Sequence, residues 1–115
     1  MEQIENFRLL GDETRLRILA LMARETELCV CELVAALGLS QPKISRHLAA
    51  LRDGGVLDSR RDAQWVFYRI SESLAGWQER VIEAALEGVA GEPVLVQDQT
   101  RLDKMKNRPR REVAA

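Results

Sequence analysis

Histidine occurs once in the chain, at His47, and cysteine twice, at Cys29 and Cys31. A closed tetrahedral zinc centre needs four donors, and these three residues, with His47 well removed from the cysteines, do not supply them within one subunit. Two thiols separated by one residue also exclude a framework of structural disulfides, which leaves reduced-thiol chemistry or plain packing as their use. No run of about 18 apolar residues is present, so no membrane span is expected. The N-terminus lacks a basic stretch followed by an apolar core, so no secretory signal is expected and the location is read as cytoplasmic. No base beside the cysteines and no phosphate-binding motif is evident, which argues against an enzyme.

Net charge is also scarce, at −1 over 115 residues, which looks wrong for a nucleic-acid binder until it is divided along the chain. Residues 1–39 carry 4 basic and 7 acidic side chains, whereas 40–69 carry 6 and 3. Residues 70–87 carry 1 and 4, and 88–115 carry 6 and 4. The positive excess is concentrated in the middle and at the end, the uneven distribution that a DNA surface requires. With 46% hydrophobic residues the chain has enough apolar side chains for one globular domain.

The middle block explains that excess. Ser40 is placed to cap a helix and Pro42 falls in its first turn, where a missing N–H costs nothing. Ile44, Leu48 and Leu51 recur at helical spacing, which leaves Gln41, Lys43, Ser45, Arg46 and His47 at the rim or outside as candidate DNA contacts. Val30, Leu33, Val34 and Leu37 form the stripe of a shorter helix, stopped at Gly38. Two helices joined by Gly38-Leu39-Ser40 form a helix-turn-helix. The run Trp65-Val66-Phe67-Tyr68, with Ile70, pairs with Val56–Arg61 across the polar tip Asp62-Ala63-Gln64 as a hairpin wing. Arg60 and Arg61 on this wing are expected at DNA phosphates. The fold class expected is mainly α with a small β-hairpin, a winged helix-turn-helix.

Around this block, Ile4, Phe7 and Leu10 predict an amphipathic helix ended by Gly11. Asp12 or Thr14 caps a central helix carrying Leu16, Ile18, Leu19, Leu21 and Met22. Ser71 and Glu72 begin a last helix with Leu74, Trp77, Val81 and Ala85 on one stripe. That helix and the first offer more apolar surface than one small subunit buries, so a homodimer is expected. Residues 1–87 are read as the DNA-binding and dimerisation domain, and 88–115 as a poorly ordered basic tail.

On a helix, residues two apart point about 200° apart, which puts Cys29 and Cys31 on opposite sides of their stripe. A soft ion drawing both sulfurs together would then unwind the first turn of the helix supporting the reader. A helix N-terminus favours thiolate, and thiolates select soft acceptors such as trivalent arsenic or antimony.

The run Glu27-Leu28-Cys29-Val30-Cys31-Glu32-Leu33, followed by Ser40-Gln41-Pro42-Lys43-Ile44-Ser45-Arg46-His47-Leu48 and Leu51-Arg52, resembles the arsenic-responsive repressors of the ArsR/SmtB family. The likeness covers about residues 3–87. It implies a dimeric repressor on an inverted-repeat operator of arsenic-resistance genes, released when arsenite or antimonite binds Cys29 and Cys31, with no constitutive cofactor. The fuller motif has a third cysteine where this chain has Val34. The resemblance therefore implies two thiolates with water, hydroxide or an exogenous thiol as third ligand, or else an organoarsenical inducer. Related members also carry an Asp/His zinc site in the last helix, and a single histidine excludes it here. Two other readings remain open: a thiol-redox-sensing winged-helix regulator, and a winged-helix module with no inducer.

Overall fold

The computed structural model describes residues 2–109, and its core is built around the two helices of the expected helix-turn-helix. Helix α1 (Glu2–Leu10) is followed by α2 (Glu13–Glu25), β1 (Leu28–Cys29), α3 (Val30–Leu37) and α4 (Gln41–Asp53). The hairpin β2 (Leu57–Asp62) and β3 (Trp65–Ile70) comes next, then α5 (Gly76–Val89) and α6 (Pro93–Asp103). Asp12 caps α2 by accepting from the Arg15 N–H at 3.0 Å, and Ser40 caps α4 by accepting from Lys43. Gly38 stops α3 at φ 67°, a left-handed conformation that glycine adopts without steric cost. Ile44, Leu48 and Leu51 are fully buried against Ile18, Leu19, Met22 and Leu33. Each such side chain contributes about 1.5–3 kcal/mol by leaving water.

The wing forms with Leu57 opposite Ile70 and Asp62 opposite Trp65. A third strand, β1, lies on the other side of β3, giving the order β1-β3-β2 with Leu28 opposite Tyr68 and Cys29 opposite Phe67. Two residues are too few to show a period of two, which is why the sequence did not reveal β1. The chain enters β1 through a tight turn in which Glu27 N–H donates to the Glu25 carbonyl at 2.8 Å. Thr26 at its centre has φ 71°, a strained position for a β-branched residue.

Helix α5 begins at Gly76 rather than at Ser71 or Glu72. Ser71 instead ends the wing: its N–H donates to the Val56 carbonyl at 2.9 Å, and its Oγ accepts from Ser73.

Within the segment 88–115 expected to be poorly ordered, the described residues continue α5 to Val89 and then form helix α6. Helix α6 packs on α2 and α3 with Asp98 and Leu102 completely buried. The Asp98 carboxylate accepts from Arg17 Nε and Nη2 at 2.8 Å each and from Arg101 Nη2 at 2.8 Å. The same arginines donate onward to the last carbonyls of α3, Arg17 to Leu37 at 3.0 Å and Arg101 to Ala36 at 2.6 Å. Carbonyls that a helix end leaves without partners are thereby satisfied from another element. Arg110 and Arg111 of the expected basic tail lie outside the described residues.

Asp98 is the carboxylate that both arginines grip, and its loss leaves the Arg17 side chain, 11% exposed, without its hydrogen-bonded counter-charge and with only the more distant Glu13. Replacing Asp98 by alanine is expected to cost roughly 3–5 kcal/mol, the range for breaking one side of a buried pair. Urea denaturation followed by circular dichroism measures it, and a loss below about 1 kcal/mol, the size of an exposed pair, would show that the cluster does not hold α6 in place.

Candidate metalloid and DNA-binding surfaces

Cys29 is not on a helix. Its backbone is extended, with φ −88° and ψ 165°, and it is the N-cap of α3, while Cys31 lies in the first turn. The two cysteines therefore do not flank the helix on opposite sides as expected. Their sulfurs meet as a disulfide, with Cα atoms 5.5 Å apart, where the sequence led to an expectation of reduced thiols or plain packing; the extended backbone at Cys29 brings the two within bonding reach despite the one-residue spacing. No unwinding of α3 is needed to bring them together, because the kink at the cap has already done so. Cys29 is buried and Cys31 exposed.

The cap itself is a reciprocal pair in which sulfur takes the place usually held by a serine or threonine hydroxyl. Glu32 N–H donates to Cys29 Sγ at 3.4 Å, and Cys29 N–H donates to Glu32 Oε1 at 3.0 Å. Glu32 is fully buried, and its other oxygen accepts from Arg108 Nε. The spacing Cys-x-x-Glu before an apolar stripe carried this signal, and sequence reasoning about the sulfurs alone missed it.

A hollow of about 220 Å³ opens beside the sulfurs, walled by Cys29, Val30 and Cys31, by Gln41, and by Gln64, Trp65 and Val66. It joins the cysteine segment to the first residue of α4 and to the turn and first strand residues of the wing. Among the described residues, no group of three or more His, Cys, Asp or Glu side chains is arranged to hold a metal ion. Any third ligand on a bound metalloid would come from outside such a group.

On α4, Gln41, Ser45 and Arg46 are exposed and Lys43 is half-buried, as the stripe predicted. His47 departs from the expected set. Its side chain is 17% exposed, with Nδ1 at 4.0 Å from Asp12 Oδ1 and 3.4 Å from Arg15 Nη1. Burial lowers its pKa, Asp12 opposes this, and Arg15, Lys43 and Arg46 add to the lowering. Arg15 also donates to the carbonyls of Leu9 and Arg8 at 2.7 and 3.2 Å. His47 thus sits where α4 meets the junction of α1 and α2 rather than on the open face.

Arg60 also departs from expectation. Its guanidinium grips Glu27 through two bonds of 2.8 and 2.7 Å and lies 4.7 Å from the centroid of Phe67. The Glu27 carboxylate raises the Arg60 pKa above its ordinary value. Arg60 is therefore a brace between the wing and the turn before β1, exposed but engaged, and Arg61 is exposed beside it.

At the opposite end, α1 meets α5. Phe7 stacks on Trp77 with centroids 6.0 Å apart, and Gln78 Nε2 donates to Asn6 Oδ1 at 2.8 Å. Ile4 and Phe7 remain 46% and 52% exposed.

Comparison with known proteins places this geometry. Residues 12–59 match the family described as "Bacterial regulatory protein, arsR family". The chain is 51% identical over 110 residues to the arsenic resistance transcriptional regulator ArsR1 of Pseudomonas putida, covering 94% of this chain and 83% of that protein. It is 50% identical over 82 residues to the arsenical resistance operon repressor of Escherichia coli, covering 71% and 70%. Among solved structures, HlyU from Vibrio cholerae superposes with a TM-score of 0.68 at 34% identity, covering 77% of this chain and 92% of that one. The antimony-specific transcriptional repressor AntR superposes with a TM-score of 0.65 at 32% identity, covering 77% and 78%. Its winged helix-turn-helix and these relatives place the chain in the arsR family of bacterial transcriptional regulators.

Proposed function

We propose that this chain is a metalloid-responsive repressor: a homodimer that holds an inverted-repeat operator of arsenic-resistance genes and releases it when trivalent arsenic or antimony bridges the reduced Cys29 and Cys31. The observation that carries this reading is the shared hollow, in which the sulfurs, the start of the reader helix and the wing face one another. The relatives named for arsenic resistance, and the antimony-specific AntR, support the choice of ligand.

The disulfide is first opened by a two-electron reductant, an exogenous dithiol that leaves as its own disulfide while Cys29 and Cys31 each take up a proton. Arsenous acid gives up two hydroxyl groups, each leaving as water with a thiol proton, and two As–S bonds form with one hydroxyl retained. Soft sulfur donors favour this acceptor over hard cations. The bridging atom must sit between sulfurs that the disulfide now joins and reduction frees, and the Cys29 sulfur also serves as cap acceptor for Glu32. Binding therefore pushes on the walls formed by Gln41 and by Gln64-Trp65-Val66. Operator affinity falls if DNA selects the unpushed arrangement.

For DNA, Gln41, Ser45 and Arg46 are assigned to base edges or adjacent phosphates and Lys43 and Arg61 to phosphates. His47 and Arg60 act indirectly, by seating α4 and the wing. The dimer uses the α1/α5 face, where exposed Ile4 and Phe7 adjoin Trp77, and a second copy is the occupant that an inverted repeat demands.

Three outcomes are expected. Cys29→Ser and Cys31→Ser retain operator binding in a gel shift but no longer release it with arsenite, losing a coupling of about 5- to 150-fold. Normal release in both variants would end the inducer assignment. Arg61→Ala flattens the salt dependence of operator binding by about one unit, while Arg60→Ala leaves that slope unchanged. The reverse ranking would return Arg60 to the phosphates. Phe7→Glu converts a sedimenting dimer to monomer at micromolar concentration, and a wild-type monomer there would remove the dimer from this account.

A further inference from the structure

Helix α3 is gripped at both ends by arginines from outside it. At its C-terminus Arg17 and Arg101 hold the Leu37 and Ala36 carbonyls. At its N-terminus Arg108, which lies beyond the end of α6, reaches back to Glu32 and also donates to Glu25 Oε1 at 3.0 Å. The carboxylates flanking the sulfur pair are thus met by arginines from two different elements. Arg108 takes Glu25 and Glu32, and Arg60 of the wing takes Glu27.

We propose that Arg108 is a positioning residue for the sulfur pair, acting through Glu32, so that the segment after α6 is a working part of the inducer site. This rests on the reading of Cys29 and Cys31 as the inducer ligands. Glu32 is fully buried, and a carboxylate removed from water that loses a counter-charge either takes up a proton or turns toward solvent. If it turns out, Cys29 N–H loses its acceptor and the extended cap that sets Cys29 Sγ beside Cys31 is no longer pinned. The planar fork of Arg108 serves two carboxylates at once, which a lysine ammonium cannot reproduce with the same geometry.

The test is residue-resolved amide hydrogen exchange on the full-length reduced protein, with arsenite binding measured on the same samples. In Arg108→Ala, exchange at the Cys29 amide is expected to accelerate roughly ten- to hundredfold, the equivalent of one charge-assisted hydrogen bond. Exchange at Ile18 and Leu19 in α2 stays unchanged, and arsenite binds more weakly. Arg108→Lys falls between. Adding Glu32→Gln to Arg108→Ala restores slow exchange, because a neutral amide oxygen still accepts from Cys29 and needs no counter-charge. Unchanged exchange at Cys29, acceleration spread evenly through α2 and α3, or no rescue by Glu32→Gln each overturns the proposal. Exchange is read without metalloid, so the two readings fail separately. A wild type that ignores arsenite but shows the exchange pattern loses its inducer assignment and keeps the positioning of Cys29 by Arg108.

Discussion

Cys29 is bound into two structures at once, and the arrangement of sensor, reader and wing depends on that double use. As the last residue of β1 it lies opposite Phe67 on β3. As the N-cap of α3 it accepts from Glu32 and fixes where the helix begins. Helix α3 supports the reader α4 through the three-residue turn at Gly38, and β3 is the inner strand of the wing. A displacement of Cys29 therefore has two routes outward, one through a helix and one through a ladder, and both are rigid elements with fixed registers. The strained turn at Thr26 just before it adds a backbone held in place by its surroundings rather than by its own preference.

The ionic contacts divide by burial into two kinds of work. Asp98 with Arg17, at 0% and 11% exposure, is a pair whose breakage leaves a charge without water, so it fixes where α6 lies. Arg60 with Glu27, at 42% and 18%, is screened and contributes little to overall stability. It does determine direction: the guanidinium is held over Phe67 and against the Glu27 carboxylate. Arg52 and Arg69 are likewise engaged, by Asp53 and Glu72, so Lys43, Arg46 and Arg61 are left as the basic residues of the central block for which no ion pair is seen among the described residues.

Elements whose signals are local and apolar were legible in the sequence. The Ser40 cap, Pro42 and the buried trio Ile44, Leu48 and Leu51 mark α4, and the wing follows from the aromatic and β-branched run Trp65–Ile70. The parts that escaped are those in which polar groups are buried. Helix α6 places Asp98 on its inner face between Leu95 and Leu102, so the apolar period is interrupted at the position that matters most, and its partner Arg17 lies in a distant helix. Residue type alone points His47 and Arg60 to DNA, but their direction is set by Asp12 and Glu27. The cysteines were placed on a helix because the stripe from Val30 to Leu37 runs up to them. A capping pattern with sulfur in place of a hydroxyl reads as helix interior unless Glu32 is considered with it.

That correction changes what kind of switch the chain can contain. With Cys29 and Cys31 on opposite sides of a helix, any ligand joining them would melt a turn, and release of DNA would follow from lost structure. With the sulfurs already adjacent across the cap, binding need not melt anything, and tight binding by itself predicts no release. An effector shifts an equilibrium only by the difference in its affinity for the two states. That difference must arise where the bound atom and its remaining ligand meet Gln41 on one wall and Gln64, Trp65 and Val66 on the other. Because linkage is reciprocal, DNA that holds those two walls in their present positions must oppose the metalloid to the same degree. In the proposed repressor the switch is therefore governed by the fit of the hollow around the bound species, with the sulfurs supplying affinity and the reader and wing the response.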